Sequence, residues 1–324
     1  MKCHDFETDY LSRQCHLLNC LELWNDVSPS PFQISEKLFQ QNIVTQSSFD
    51  LKASLMIYEA NDLVGFILIK TWRDGVPWLV ETVRQAHISL LCVNPKRRRQ
   101  GYGRLLVSHA ISTLKAQGIE RLELGKELYT FLPGLPECFH ENSAFFAKMG
   151  FTEAGTTYDM IRTIDTNTPS LPLKLEGLII RRAKRYDFKR IEQFLAHEFP
   201  GRWHHEFICY RDRGGSGKEF IIVLENHKVV AFCRLNGPNS IEQGHNINWS
   251  LGFKRLHGIG PLGVAASARG RGLGYLITAS AFNEALQNQA DAVVIDWTSK
   301  VDFYEKFGFR IWQTYRSMGM ALKG

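Results

Sequence analysis

The chain has 324 residues, 44% hydrophobic, 22% charged and 12% aromatic, which supplies enough apolar material for real cores and excludes a disordered chain. At about 150 residues per domain the length predicts two domains, and a formal charge of +6 suits an anionic ligand as well as nucleic acid, so it selects neither. No apolar stretch approaches the ~20 residues of a membrane span. The polar start Met1-Lys2-Cys3-His4-Asp5 lacks the apolar core of a signal peptide, so the cytoplasm is the expected compartment.

Seven cysteines, an odd number with no CxxC pair, argue against a disulfide framework. Cys3, Cys15 and Cys20 with His4 and His16 match no zinc spacing, and no metal is expected. The first half predicts a hairpin over 55–70, a strand ending at Val93 and a helix on which Leu106, Ala110 and Leu114 recur at every fourth residue. A strand follows near Leu122. Next comes a loop over 126–140, marked by Pro133-Gly134-Leu135-Pro136, and then an aromatic pair, Phe145-Phe146. A polar, proline-bracketed stretch over 165–172 separates this half from the next. The second half predicts a strand over 178–182, helical material from Asp187, a hairpin over 219–235 and a strand ending near Val264. A helix over 273–288, a strand over 292–296, a short helix over 301–307 and a final strand complete it.

The two halves repeat one another, and such self-similarity sets the architecture. Sliding the chain along itself brings VNPKRRRQGYGRLL, from Val93, onto VAASARGRGLGYLI, from Val264. Farther on, AFFAKMGF from Ala144 meets DFYEKFGF from Asp302, so the first copy carries extra residues between the landmarks, around Lys126 to His140. The mixed order of strands and helices predicts an α/β fold with a mixed sheet in each copy. Each Arg-x-x-Gly-x-Gly run lies between a strand and an amphipathic helix. Glycines let the backbone turn sharply there, and N–H groups at a helix start receive a pyrophosphate, with flanking arginines adding charge. A dinucleotide-binding unit is disfavoured because each loop follows several strands, and a P-loop because neither run ends in Gly-Lys-Ser/Thr. The basic run Lys96 to Arg99 reads as charge for such an anion. It carries no interleaved aromatics for nucleic acid.

On these residues the sequence resembles the GNAT N-acetyltransferase superfamily, whose signature for acetyl-CoA is Arg/Gln-x-x-Gly-x-Gly/Ala after a strand often ending Val-x-Pro. Val93, Pro95, Arg98, Gly101 and Gly103 match it in full, and Val264, Arg269, Gly272 and Gly274 match it with Ala266 in place of the proline. The family's Phe-Tyr-x-Lys-x-Gly-Phe landmark stands as Phe303, Tyr304, Lys306, Gly308 and Phe309. The resemblance covers nearly the whole chain as a tandem. It implies two GNAT-like domains, 1–165 and 173–324 joined by 166–172, each a mixed twisted sheet flanked by helices.

The resemblance also implies an N-acetyltransferase that moves acetyl from acetyl-CoA to the primary amine of a small molecule or peptide, without metal, nucleic acid or membrane. The co-substrate would meet Leu91, Val93, Arg98, Arg99, Gln100, Gly101, Tyr102 and Gly103 in the first copy. In the second it would meet Leu262, Val264, Arg269, Gly270, Arg271, Gly272, Leu273 and Gly274. An N–H of the strand before each loop would face the thioester oxygen, and the tyrosine of the Phe-Tyr pair would protonate the leaving thiolate. Tyr304 has that hydroxyl, whereas its counterpart Phe146 does not, which favours the C-terminal copy as catalytic. The N-terminal copy, with Tyr129 as a substitute acid, and a protein that binds acetyl-CoA without reacting are the alternatives. An alkylammonium has a pKa of about 10.4, so a base is needed. Asp296, at the end of its strand, is the first candidate, with His257 and Glu81 beside it. Phe139 and Trp297 replace an asparagine that the family often carries ahead of the tyrosine. His197, His204 and His205 are expected to be exposed.

Overall fold

The computed structural model describes residues 2–4, 10–71, 84–173 and 177–322; Glu81 lies outside them. In chain order the elements are β1 (Lys2–His4), α1 (Tyr10–Val27), α2 (Glu36–Phe39), β2 (Leu55–Glu59), β3 (Asp62–Thr71), β4 (Gln85–Val93), α3 (Tyr102–Ala116), β5 (Arg121–Leu124), β6 (Leu135–Pro136), α4 (Ser143–Lys148) and β7 (Thr152–Thr163). There follow β8 (Ile179–Arg182), α5 (Phe188–Glu198), α6 (Arg202–Asp212), β9 (Phe220–Glu225), β10 (Lys228–Asn236), β11 (Leu256–Val264), α7 (Leu273–Gln287), β12 (Ala292–Thr298), α8 (Val301–Glu305) and β13 (Arg310–Ala321).

The chain forms two compact units, residues 1–157 with 313–324, and residues 158–312. The repeat boundary over 165–172 therefore differs from the boundary between compact units, because the terminal strands are exchanged. In the first unit β2 to β4 form an antiparallel meander, and β5 joins β4 in parallel. Its sheet is finished by β13, the last strand of the second repeat, with Gly319 opposite Glu123 and Ala321 opposite Arg121. In the second unit β8 to β11 are antiparallel and β12 joins β11 in parallel. Here the last strand of the first repeat closes the sheet, with Ala292 opposite Thr163 and Ile295 opposite Met160.

Each unit has its own core. In the first, α3 lays Leu106, Val107, Ala110 and Leu114 onto Ile57, Ile67, Ile69 and Ile88. Each such leucine, taken from water, contributes about 1.5–3 kcal/mol. In the second, α7 does the same with Leu276, Ile277 and Phe282 against Ile222, Phe232 and Ile259.

The predicted elements of the second copy stand within a few residues of their expected ends. The expected loop over 126–140 is different in kind: Glu127 to Leu132 and Leu135 are buried, and β6 within it pairs with β13 at Leu135–Arg316. Its leucines and aromatics are core residues of the first unit.

Candidate functional site

The two parallel strand pairs part company early. In the first unit β4 and β5 stay in register from Gln85–Arg121 to Ile88–Leu124, and in the second β11 and β12 only from Leu256–Ala292 to Gly258–Val294. Each central strand is also bulged just past the split, at Ser89 and at Gly260-Pro261, where the antiparallel register shifts. A bulge re-aims a strand and ends its pairing. Beyond the split, Ala265 donates its N–H to Val230 and Asn94 to Val64. Antiparallel ladders alternate between bonded and non-bonded pairs. The pairs Val264–Ala231, Leu262–Cys233, Val93–Gly65 and Leu91–Ile67 are therefore of the non-bonded kind. The N–H groups of Leu262, Val264, Leu91 and Val93 thus point away from the hairpin, toward the opened side.

Each strand ends in a loop built the same way. Arg269 folds back to donate from Nε to the Val264 carbonyl at 3.3 Å, and Arg98 does so to Val93 at 3.1 Å. Gly272 (φ 76) and Gly101 (φ 90) hold the left-handed turn that opens α7 and α3. A Cβ at either would meet nothing within 4 Å, so the concave side is open to a ligand. The next glycines lie beside the aromatic pair: a Cβ at Gly274 or Gly103 would make ordinary contact, at 3.5 or 3.4 Å, with the ring of Phe303 or Phe145. Leu273 is buried, so it presents only backbone to the loop. Gln100, Arg98, Arg99, Arg269 and Gly270 are exposed. Two side chains turn elsewhere: Arg271 is held by Glu225 through bonds of 3.0 and 2.6 Å, and Tyr102 donates to Glu59. The free N–H groups at each helix start, with the remaining arginines, can receive a pyrophosphate.

The aromatic pair is duplicated in place. Phe303 and Tyr304 meet edge to face at 4.9 Å and 77°, and Phe145 and Phe146 at 5.2 Å and 68°. Only the second unit places a hydroxyl there. Among the described residues no group takes the Tyr304 hydroxyl in a hydrogen bond. Burial pushes its pKa up, and nearby Cys233 and Asp296 push the same way. Asp296 does not end its strand as expected, for β12 runs on to Thr298; it lies two residues past the last β11 pairing, with one carboxylate oxygen 3.3 Å from where a Cβ on Gly260 would stand. Burial raises its pKa as well, offset in part by His245 and Arg202. Trp297, the next residue, donates its N–H to Asp159 of β7 at 2.9 Å, and Arg202 lies over its ring at 4.5 Å.

The first unit fills the same region with protein. Lys70, in the register position that Asn236 holds in the second unit, is 1% exposed. It donates to the carbonyls of Tyr129 at 2.8 Å and Leu128 at 3.3 Å, with Glu127 at 3.7 Å. His87 donates from Nδ1 to the Gly125 carbonyl, 2.8 Å away, and Phe131 stacks on Phe39. The segment that follows β5 is thus anchored inside the opening, and Tyr129 is buried within it.

His257 is buried below the split, its Nδ1 at the Arg255 carbonyl and its pKa lowered by burial. His197 is exposed as expected, but His204 and His205 are half-buried on α6. The sequence reading did not find the groups that surround Asp296: Arg202 and Glu206 of α6, Asn236 of β10, and His245 and Asn246. The long polar run between β10 and β11, too long for a hairpin turn, was the available signal.

A duplicated sheet with a parting central strand pair, followed by a glycine turn into a helix, defines the class, and the comparisons agree. Residues 17–136 match the acetyltransferase (GNAT) family and residues 216–311 the acetyltransferase (GNAT) domain, together more than half of the chain. The chain belongs to the GNAT family of acetyltransferases, as a tandem two-domain member. No curated protein matches it by sequence.

Solved structures that share its fold include the following three. One is a GCN5-related glucosamine N-acetyltransferase region of a fungal multi-domain GH3 beta-N-acetylglucosaminidase, at TM-score 0.85 and 22% identity, covering 98% of this chain and 38% of that one. Another is a tandem GNAT protein from the clavulanic acid biosynthesis pathway, at 0.70 and 15%, covering 100% and 99%. A GCN5-related N-acetyltransferase from Sphaerobacter thermophilus follows at 0.69 and 12%, covering 100% and 96%. The chain thus spans well under half of the first of these proteins.

Proposed function

We propose that the protein transfers acetyl from acetyl-CoA to a primary amine and that the second unit does the chemistry. The observation that carries this reading is Tyr304, a hydroxyl without a hydrogen-bond partner among the described residues, near Asp296 where β11 and β12 part. In the first unit Phe146 takes the tyrosine's place and a buried segment fills the opening. The residues fit the co-substrate: the open side of Gly272 leaves room for a pyrophosphate, and the exposed Arg269 flanks it.

Acetyl-CoA brings a thioester, whose acyl carbon takes the amine and whose sulfur leaves. The N–H groups of Leu262 and Val264 stabilise negative charge on the carbonyl oxygen. Asp296 takes the proton that the ammonium must shed before its nitrogen forms the C–N bond, and its raised pKa brings it closer to that of the amine. Tyr304, protonated throughout the neutral range, gives its proton to the sulfur as the C–S bond breaks. The products are one amide and one thiol: the second proton shed by the nitrogen as the amide forms goes to solvent, which reprotonates Tyr304, and Asp296 returns its own proton to solvent. The glucosamine acceptor of the fungal region places amino sugars among the amines to try.

Thiol release from acetyl-CoA over a panel of amines tests the reading, with valine placed at Gly272 and, separately, at Gly101. Turnover lost at Gly101 and kept at Gly272 would move the chemistry to the first unit. The first unit keeps the complete loop motif with its opening filled, which favours nucleotide binding there without turnover. Calorimetric titration of the Gly272→Val protein would measure that site by itself.

A further inference from the structure

The groups around Asp296 form a polar chamber whose unmet needs describe the acceptor. Asn236 is 1% exposed. Its amide nitrogen is spent on the Asn246 side-chain oxygen at 3.0 Å and the Gly260 carbonyl at 3.3 Å, and among the described residues its own carbonyl oxygen accepts nothing. Gly260 links this amide to the Asp296 carboxylate: its carbonyl accepts from Asn236, and a Cβ on it would stand 3.3 Å from the Asp296 carboxylate and 3.5 Å from Asn246. The Asn236 amide and the Asp296 carboxylate both border Gly260, and the unmet acceptor among them is the Asn236 carbonyl oxygen. A buried acceptor is costly to leave unmet, and an ammonium or a hydroxyl meets it.

The charges limit the acceptor further. Arg202 is bound to Glu206 at 2.7 Å and lies on Trp297. Arg213 and Arg234 both pair with Glu242, at 2.5 and 3.3 Å. Each of these arginines thus already holds a carboxylate, Arg213 and Arg234 sharing one, so a carboxylate or phosphate on the acceptor would have to compete for it. Glu206 is matched too: burial pushes it up, but Arg202 and His245 more than offset this and hold it at about 2. Asp296 has no ion-pair partner among the described residues and can take a substrate cation. Half-buried Trp297 adds a flat apolar wall.

We infer that this chamber selects an amine with a single positive charge on an uncharged, hydroxyl-bearing body, an amino sugar, over polyamines, amino acids and peptide N-termini. A polyamine would bring a second ammonium without a carboxylate, and an amino acid a carboxylate without a cation. The inference rests on the reading that the second unit is catalytic.

The test is thiol release by the full chain with acetyl-CoA and, in turn, glucosamine, galactosamine, spermidine, serine and a short unblocked peptide. The expected kcat/KM for an amino sugar exceeds that of each other class by about tenfold or more, the weight of one unmatched charge or hydrogen bond. Spermidine, serine or the peptide equalling the sugars overturns the acceptor assignment. Silence with every amine, while acetyl-CoA still binds, overturns the catalytic reading and the acceptor assignment with it. Two variants probe the charge balance independently. Asn236→Asp adds a second carboxylate, and Arg202→Met releases Glu206. Each should move the spermidine-to-glucosamine ratio of kcat/KM upward by about tenfold, which loss of structure alone would not do. An unchanged ratio in the folded variants overturns the proposal.

Discussion

Replacing Tyr304 with phenylalanine removes one oxygen and nothing else, and the molecule already contains the result. Phe146 holds the same place in the first unit, edge to face with Phe145 at 5.2 Å, as Tyr304 does with Phe303 at 4.9 Å. The hydroxyl has no protein partner among the described residues, so no internal hydrogen bond is lost, and stability should stay within about 0.5 kcal/mol of the parent. The rate should not. A positioned general acid contributes roughly 100-fold to 10,000-fold, and the lower bound corresponds to about 2.7 kcal/mol of transition-state stabilisation. We expect kcat for thiol release to fall at least about 100-fold, with the KM for acetyl-CoA within about twofold. Because burial raises the tyrosine pKa, the parent should show no loss of kcat from this group up to pH 10, since an acid is active below its pKa. A folded variant that keeps half of the parental kcat would refute the role.

Other consequences can be measured. Valine at Gly272 forces a branched residue to φ 76, which costs about 1–2 kcal/mol, and should cut turnover at least about tenfold in a steady-state assay; the same change at Gly101 should leave turnover intact. Asp296→Asn should raise Tm at pH 7 but not at pH 4. The carboxyl titrates higher folded than unfolded, so the parent loses stability as pH rises through the folded value. The same variant should flatten the acidic limb of the kcat/KM profile. Lys70→Met strands Glu127 in the first unit and should destabilise it by about 3–5 kcal/mol, read by denaturant titration, while thiol release persists at concentrations where that unit remains folded.

Local pattern carried the second copy well. The hairpin over 219–235 stands as two apolar strands buried almost throughout, and the four-residue spacing of Leu106, Ala110 and Leu114 marks the buried face of α3. The glycine loops were legible because a left-handed residue and an unobstructed backbone both demand glycine at Gly101 and Gly272. The segment after β5 misled because Pro133-Gly134 marks a turn equally well inside or outside a protein; Leu128, Phe131 and Leu132 were the better guide. The surroundings of Asp296 were illegible for another reason. Arg202, Asn236 and Asn246 are far apart in sequence, and the bulge at Gly260-Pro261 that brings two of them together follows from packing, not from spacing. Nor could pairing of residues 319–321 with 121–123 be read locally, since either strand would suit any sheet edge.

That pairing makes the two repeats inseparable as folded objects. A cut anywhere in the exposed stretch over 165–172 would yield two fragments, neither holding all the strands of either unit. The first fragment would lack 313–321, and the second would lack 158–163. Cleavage should therefore leave a nicked protein that travels as one species on a sizing column and divides only under denaturant. Either fragment made alone would expose an unpaired β-edge, the kind of surface on which chains aggregate. Mixing the two as they refold should restore activity with one-to-one stoichiometry.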